Sequence, residues 1–333
     1  MAIEFLIDII ILGFLVLTAL SIAVSKDLFA SVMLTGIYSL LTAVFFVVMD
    51  AVDVAFTEAS VGAGISTILM LSTLTLTGQF EDPTRHNKTI GFVVVLVTGF
   101  LLMYGTTDMP VFGNPSAPVN QHLATHFIEQ SFSETGMPNI VTSVLASYRG
   151  FDTFGETVVI FTAGIGVLTL LGFSTKKGAP DFDSVVAPMH KHKILRVVSK
   201  ILIPPIFIFA LYVQFHGDYG PGGGFQAGVI FAAAIILYAM LFGLNIARRV
   251  INQPVVQMLS AIGVLLYGSV GIVSLVNGKN FLDYSVLADD PLHGQHYGIL
   301  LVELGVGITV TAVMITIFFT FAGRVDKEHG EHA

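Results

Sequence analysis

Three glutamates stand inside otherwise apolar stretches: Glu58 in "TEASVGAGIST", Glu156 in "FGETVVIF" and Glu303 in "VELGVGITVT". Placing a charged carboxylate at the centre of a membrane span costs about 2.5–3.5 kcal/mol or more, so such residues are by default functional. No lysine or arginine stands deep in the same stretches. The carboxyls must therefore be protonated, hydrated, or paired with a partner subunit. The chemistry open to them is competition: a carboxylate holds a proton or a cation, not both.

Spacing supports that chemistry at two of the three. Glu58, Gly62 and Ser66 recur at i, i+4, i+8, and so do Glu303, Gly307 and Thr311. Each set would stripe one helix face with a carboxyl, a gap and a hydroxyl. Ordinary explanations compete. Thr153-Phe-Gly-Glu156 has the form of a capping box, in which the glutamate satisfies the helix's own first amides. Glu58 could be hydrated near the membrane surface. Glu303 follows Ile299-Leu-Leu-Val302 and has no cap pattern, so it has the weakest structural excuse.

The elements that must hold these groups are membrane helices. The 333-residue chain is 54% hydrophobic and 11% charged, against about 25% charged in soluble domains. Runs long enough to span a bilayer fall near residues 3–24, 28–49, 54–77, 89–105, 154–173, 194–215, 224–244, 255–276 and 298–322. The fold class is thus an all-α polytopic membrane protein of about nine helices. The head "MAIEFLID" is acidic and no small-residue cleavage site follows, so the first run is expected to be a retained span. With the N-terminus outside and the C-terminus inside, 13 of the 15 lysines and arginines fall on the inner side, leaving only Arg149 and Lys279 outside. The positive-inside rule therefore selects this orientation. The acids concentrate outside, where they draw cations rather than anions.

Two interruptions organise the chain. Residues 174–193, within "FSTKKGAPDFDSVVAPMHKHK", carry prolines and mixed charges. They divide a five-helix module (1–173) from a four-helix module (194–333) as a cytoplasmic linker. The stretch between residues 105 and 149 lies outside. Val119, Leu123 and Phe127, and again Ile140, Val144 and Tyr148, recur every fourth residue. They predict short amphipathic helices lying on the outer surface. The terminal "KEHGEHA" is expected to be a solvated tail.

The segment "HGDYGPGGGFQAG" is not a nucleotide cradle. It lacks the Gly-Lys-Ser/Thr of a phosphate loop and no strand precedes it. Pro221, Gly222, Gly223 and Gly224 instead reverse the chain between two spans, and Gly224 with Gly228 gives the next helix a flat packing face. His216, Asp218 and the helix N-terminus beside them could line an ion entrance, although polar residues at loop ends are usually only solvated. Metal binding is not expected. Cysteine is absent, and the pairs His122/His126, His190/His192 and His293/His296 each lack an evident third ligand. No cofactor motif, nucleophile constellation or nucleic-acid signal is present.

"HGDYGPGGGFQAG" followed by "YGILLVELGVGITV" resembles the B-type chain of the Mrp-type multisubunit sodium/proton antiporters, over residues 193–323. "DVAFTEASVGAGISTILML" and "ETGMPNIVTSVLASYRGFDTFGETVVIFTAGIGVLTLLG" resemble the C-terminal part of the large A-type chain. Those segments also occur as small subunits of membrane-bound hydrogenases and are similar in role to a small membrane subunit of respiratory complex I. The resemblance implies a bacterial or archaeal plasma membrane and a fused accessory subunit rather than an enzyme. It implies antiporter-like partners of the A and D type and small subunits, with Na+ and H+ as the ions and lipid around the chain. It marks Glu303, Glu58 and Glu156 as ion-path residues. By their small-residue spacing, Gly62, Gly307 and the 224/228 and 305/307 glycine faces are expected to serve helix packing, including against partner subunits. A membrane subunit of a hydrogenase or respiratory complex, and a purely structural subunit, are the rival readings.

Overall fold

A computed structural model of the chain describes residues 2–81, 88–111, 113–171 and 193–330. Regular structure among these residues is helical, apart from one isolated bridge between Asp27 and Phe80. The helices are α1 (Ala2–Val24), α2 (Leu28–Val48), α3 (Val52–Glu58), α4 (Thr67–Thr77), α5 (Lys88–Thr106), α6 (Pro118–His122), α7 (Ala124–Thr135), α8 (Ile140–Thr142), α9 (Gly150–Leu171), α10 (Lys193–His216), α11 (Gly224–Phe242), α12 (Leu244–Val250), α13 (Gln253–Val276) and α14 (Pro291–Gly330). A π-helical stretch, Ala59–Ser66, joins α3 to α4 into one span, and another, Ser143–Tyr148, follows α8. Among the described residues, nine helical segments are long and apolar enough to cross a membrane.

Local chemistry sets the boundaries. Asp27 caps α2, its side chain accepting from Phe29 N at 2.9 Å and Ala30 N at 3.2 Å. Gly78 ends α4 at φ +90° and Gly136 ends α7 in the left-handed conformation. α14 outruns its apolar stretch at both ends, starting at Pro291 and continuing to Gly330. The start of "KEHGEHA" is therefore helical, and residues 331–333 lie outside the described residues. So do most of the 174–193 linker, with His190 and His192.

α14 is the hub. It packs against α9, α10, α11, α13 and the α3–α4 span, and its buried residues Ile299, Val302, Val306, Val310, Ile315 and Phe319 dominate the core. α11 and α14 bury more than half of their spans, while the α5 span buries none of its residues. Glycine sets the spacing. A Cβ on Gly228 would lie 2.8 Å from Gly307 O, and one on Gly305 would lie 2.8 Å from Gly263 O. The 224/228 face is thus used against Gly307 and Val310 of α14, and Gly305 against Gly263 and Tyr267 of α13, inside the chain and not held open for partner subunits. This corrects the sequence expectation, because α11 and α13 pack on opposite sides of α14 through those glycines.

One end of the bundle is basic. Arg196 and Lys200 of α10 sit over the Phe242 ring at the end of α11, at 5.3 and 5.4 Å. Arg248 of α12 donates to Phe319 O at 2.8 Å. The glycine loop, residues 139–149 and the 3₁₀ turn Tyr284–Leu287 gather at the other end.

Candidate functional site

The glycine loop folds over Glu303. Gly223 takes φ +118°, where a side chain would be strained. A Cβ there would lie 3.2 Å from Glu303 Oε1, and one on Gly217 would lie 3.3 Å away. A Cβ on Gly224 would run into the Glu303 carbonyl oxygen, and one on Gly222 would lie 2.7 Å from Val213 O. The run of glycines lets backbone close directly on the carboxyl and its helix, with no room for side chains between them.

Residues from the first half of the chain pin that loop. Asn139 Nδ2 donates to Gly217 O and Gly220 O, both at 3.1 Å. Its backbone N–H donates to Asp218 O at 3.0 Å. Thr142 Oγ1 donates to Gly217 O at 2.6 Å. Deeper down, Gln226 of α11 donates to Thr57 Oγ1 at 2.7 Å. Tyr267 and Tyr284 hydroxyls donate to Gly150 O and Ala146 O, both at 2.7 Å. Most of these bonds join segments far apart in the chain, so the site spans both halves of the sequence.

Beneath the loop lies a cavity of about 580 Å³. Its acids are Glu303 on α14, Glu156 on α9 and Asp53 on α3, with Thr57, Thr157 and Gln226 as further polar lining and Val302, Val306 and Ile160 as apolar lining. Two of the three sequence-marked glutamates therefore meet. Glu58 does not line this cavity. It hydrogen-bonds Ser39 of α2, and Gly62 is the gap that admits this pair. Asp53 takes its place. It shares the cavity wall with Thr57 of the same span and with Gly222 and Gly223 of the glycine loop.

The capping-box reading of Glu156 does not hold. α9 begins at Gly150, so Thr153 is already within the helix and its hydroxyl donates to Leu145 O at 2.8 Å. The amphipathic segment at residues 140–148 is also corrected. Thr142, Ser143 and Ala146 are buried and Thr142, Leu145 and Ala146 line the cavity, while Ile140, Val141 and Leu145 stay exposed, so the segment packs inward along one face and does not lie free on the outer surface. The Val119–Phe127 helix is broken at Leu123.

His216 and Asp218 do not line the cavity. His216 stacks on Tyr212 with ring centroids 4.7 Å apart and faces a separate apolar groove shared by α2, α3 and α10. Asp218 pairs with His296 Nδ1 at 3.4 Å. Burial pushes its carboxyl above the usual range, and the His296 charge partly opposes this. His126 lies 3.4 Å from Glu134, and among the described residues no group of three potential ligands could hold a metal ion.

Asp53, Asn139 and Gln226 carry no mark in the sequence reading. Asp53 stands at a helix start, where an acid is ordinary. Gln226 stands inside an apolar run, and the rule that singles out the glutamates would have found it.

Comparison with known proteins follows the same division of the chain. Residues 194–316 match the profile of a domain related to the MnhB subunit of Na+/H+ antiporter, residues 13–79 that of the D subunit of MBH, and residues 88–192 that of its E subunit. A probable K(+)/H(+) antiporter A/B subunit of Rhizobium meliloti is 25% identical over 91% of this chain, which spans 33% of that relative. A putative antiporter subunit mnhB2 of Staphylococcus aureus is 34% identical over 39% of this chain and 94% of its own length. The fold matches a chain of the Mrp complex from Dietzia sp. DQ12-45-1b at TM-score 0.75, with 23% identity, over 94% of this chain and 34% of the other. It also matches a chain of the membrane-bound sulfane sulfur reductase, an archaeal respiratory membrane complex, at TM-score 0.55 with 26% identity, over 71% of this chain and 97% of the other. The chain is a multi-pass membrane protein that belongs to the family of MnhB-related Na+/H+ antiporter subunits, its MnhB module preceded by segments of the MbhD and MbhE type.

Proposed function

We infer that the chain works as a fused accessory subunit of an Mrp-type cation/proton antiporter, and that the acid-lined cavity is a station on the ion route. One observation carries this: Asp53, Glu156 and Glu303, from three different spans, line a single cavity. A carboxyl there that gives up its proton leaves a charge that a cation can neutralise, and the returning proton displaces the cation. Na+ and H+ are the ions, and exchange follows from their competition for the same oxygens. Glu58, bonded to Ser39, sits beside this station. The chain is a transporter component and catalyses no covalent step. The modules are residues 1–173 and 194–333, with the intervening linker in the cytoplasm, and the exposed α5 and outer face of α1 supply surfaces for other subunits or lipid.

The test is subtraction. In membranes of a host lacking its own antiporters, the full complex should exchange Na+ for H+. The complex without this chain, and this chain alone in proteoliposomes, should not. Robust exchange by the isolated chain would overturn the accessory role. A second reading, a membrane arm of a respiratory complex, is favoured by the near-complete coverage of the sulfane sulfur reductase chain. Co-purification with soluble iron–sulfur subunits would select it.

The orientation places the acid cavity toward the exterior. The chain has no cysteine, so single cysteines report cleanly. An impermeant thiol reagent on intact cells should label Lys279→Cys and spare Asn252→Cys. The reverse pattern would contradict the assigned topology.

A further inference from the structure

A second, smaller cavity, mostly apolar but with three polar side chains in its walls, lies farther along the same helices. It measures about 30 Å³ and is enclosed by α9, α13 and α14, with Gly164, Leu168, Gln257, Ser260, Val313 and Thr316 among its walls. That is room for a water or two.

Thr316 marks it. Threonine and serine hydroxyls in these spans normally bond back to the carbonyl four residues earlier, as Thr157, Thr162, Thr169, Thr311 and Thr320 do at 2.7–2.8 Å. Thr316 is 3% exposed, yet its Oγ1 has no hydrogen-bond partner within the chain. A buried hydroxyl left unpaired loses its bonds to water with nothing in return. The Ser260 hydroxyl, which donates to Gln257 O at 2.7 Å, keeps its lone pairs, and the Gln257 carboxamide adds donors and an acceptor. A water in this space would therefore find three polar side chains, the number that holds buried water in place. The void is not a product of loose packing. Beside it α9 and α14 touch so closely that a Cβ on Gly164 would lie 3.1 Å from Val313 Cγ1.

Its position gives it a use. On α9, Glu156 and Ile160 line the acid cavity, and Gly164 and Leu168 line the small one. These four recur at every fourth residue and so share one helix face. On α14, Val302 and Val306 line the first cavity and Val313 and Thr316 the second. Thr309 lies between them, fully buried, with its hydroxyl turned to Gly305 O at 2.9 Å. The two cavities are thus stacked along the α9–α14 seam, about 6–12 Å apart at 1.5 Å per residue. Thr320 continues the seam toward the basic end of the bundle.

We propose that this pocket binds one or two waters and is the inward hydration station of the route, passing protons between the acid cavity and the basic end. The functional half rests on the ion-route reading; water occupancy does not. The test uses the complete complex. A high-resolution map should show ordered water at Thr316, lost in Thr316→Val. That variant should assemble normally but lower exchange about tenfold, the value of one hydrogen bond of about 1.4 kcal/mol. Thr316→Ser, which keeps the hydroxyl, should retain both water and exchange, and Gln257→Leu should behave as Thr316→Val does. A dry pocket in the wild-type map, or a normally assembled Thr316→Val complex exchanging at the wild-type rate, would overturn the proposal. Neither result would touch the acid cavity, whose own variants fail or succeed separately.

Discussion

Replacing Gly224 with alanine should prevent the chain from accumulating in its folded form. Alanine favours a helix over glycine by about 0.5–1 kcal/mol, so helix propensity alone predicts a small gain. Geometry predicts the opposite. The added methyl would run into the carbonyl oxygen of Glu303 and lie 3.0 Å from Gly307 N. Both atoms are backbone, in the most buried helix of the bundle, and no rotamer change can move them aside. α11 and α14 must separate, which also strips contact from Gly228 and Val310 one turn further on. Overpacking of this kind costs about 3 kcal/mol, and the loss falls on close helix packing, the main association force within a membrane. Abundance on native gels and the melting temperature of the purified protein should both fall sharply. Gly99→Ala, at a position with nothing within 4 Å, is the control and should leave both unchanged. Wild-type abundance and melting in Gly224→Ala would show that the helices have slack that the contact does not.

The spans are legible because a membrane imposes one simple rule, a long apolar run, and all nine runs are helices. The glutamates are legible for the same reason, since charge is conspicuous against hydrocarbon. What escapes depends on contacts between distant segments. Nothing local in "GMPNIVTS" distinguishes Asn139 from an ordinary loop asparagine; its importance comes from carbonyls at Gly217 and Gly220. The i, i+4 stripe through Glu58, Gly62 and Ser66 assumes an α-helical pitch, but this stretch is π-helical, so the pattern has the wrong period. Glycine faces show that something packs closely but not what packs there. That is why the 224/228 and 305/307 faces suggest other subunits when they pack inside the chain, 224/228 on Gly307 and Gly305 on Gly263 of α13. Thr316 looks like any other threonine until its missing back-bond is seen.

Sodium-dependent proton exchange by a Glu303→Gln complex tests the central claim most directly. The amide keeps the size of the carboxyl and can still hydrogen-bond, so the loop can close over it as before. It cannot trade a proton for a cation. Complex abundance on native gels should match wild type, while exchange in membranes of a host without its own antiporters should fall by about a hundredfold, the scale of losing a positioned proton-transfer group. Glu303→Asp should retain more activity than Glu303→Gln, because the charge remains and is withdrawn by one methylene. Wild-type exchange by a normally assembled Glu303→Gln complex would contradict the account and leave the acid cavity a purely structural feature.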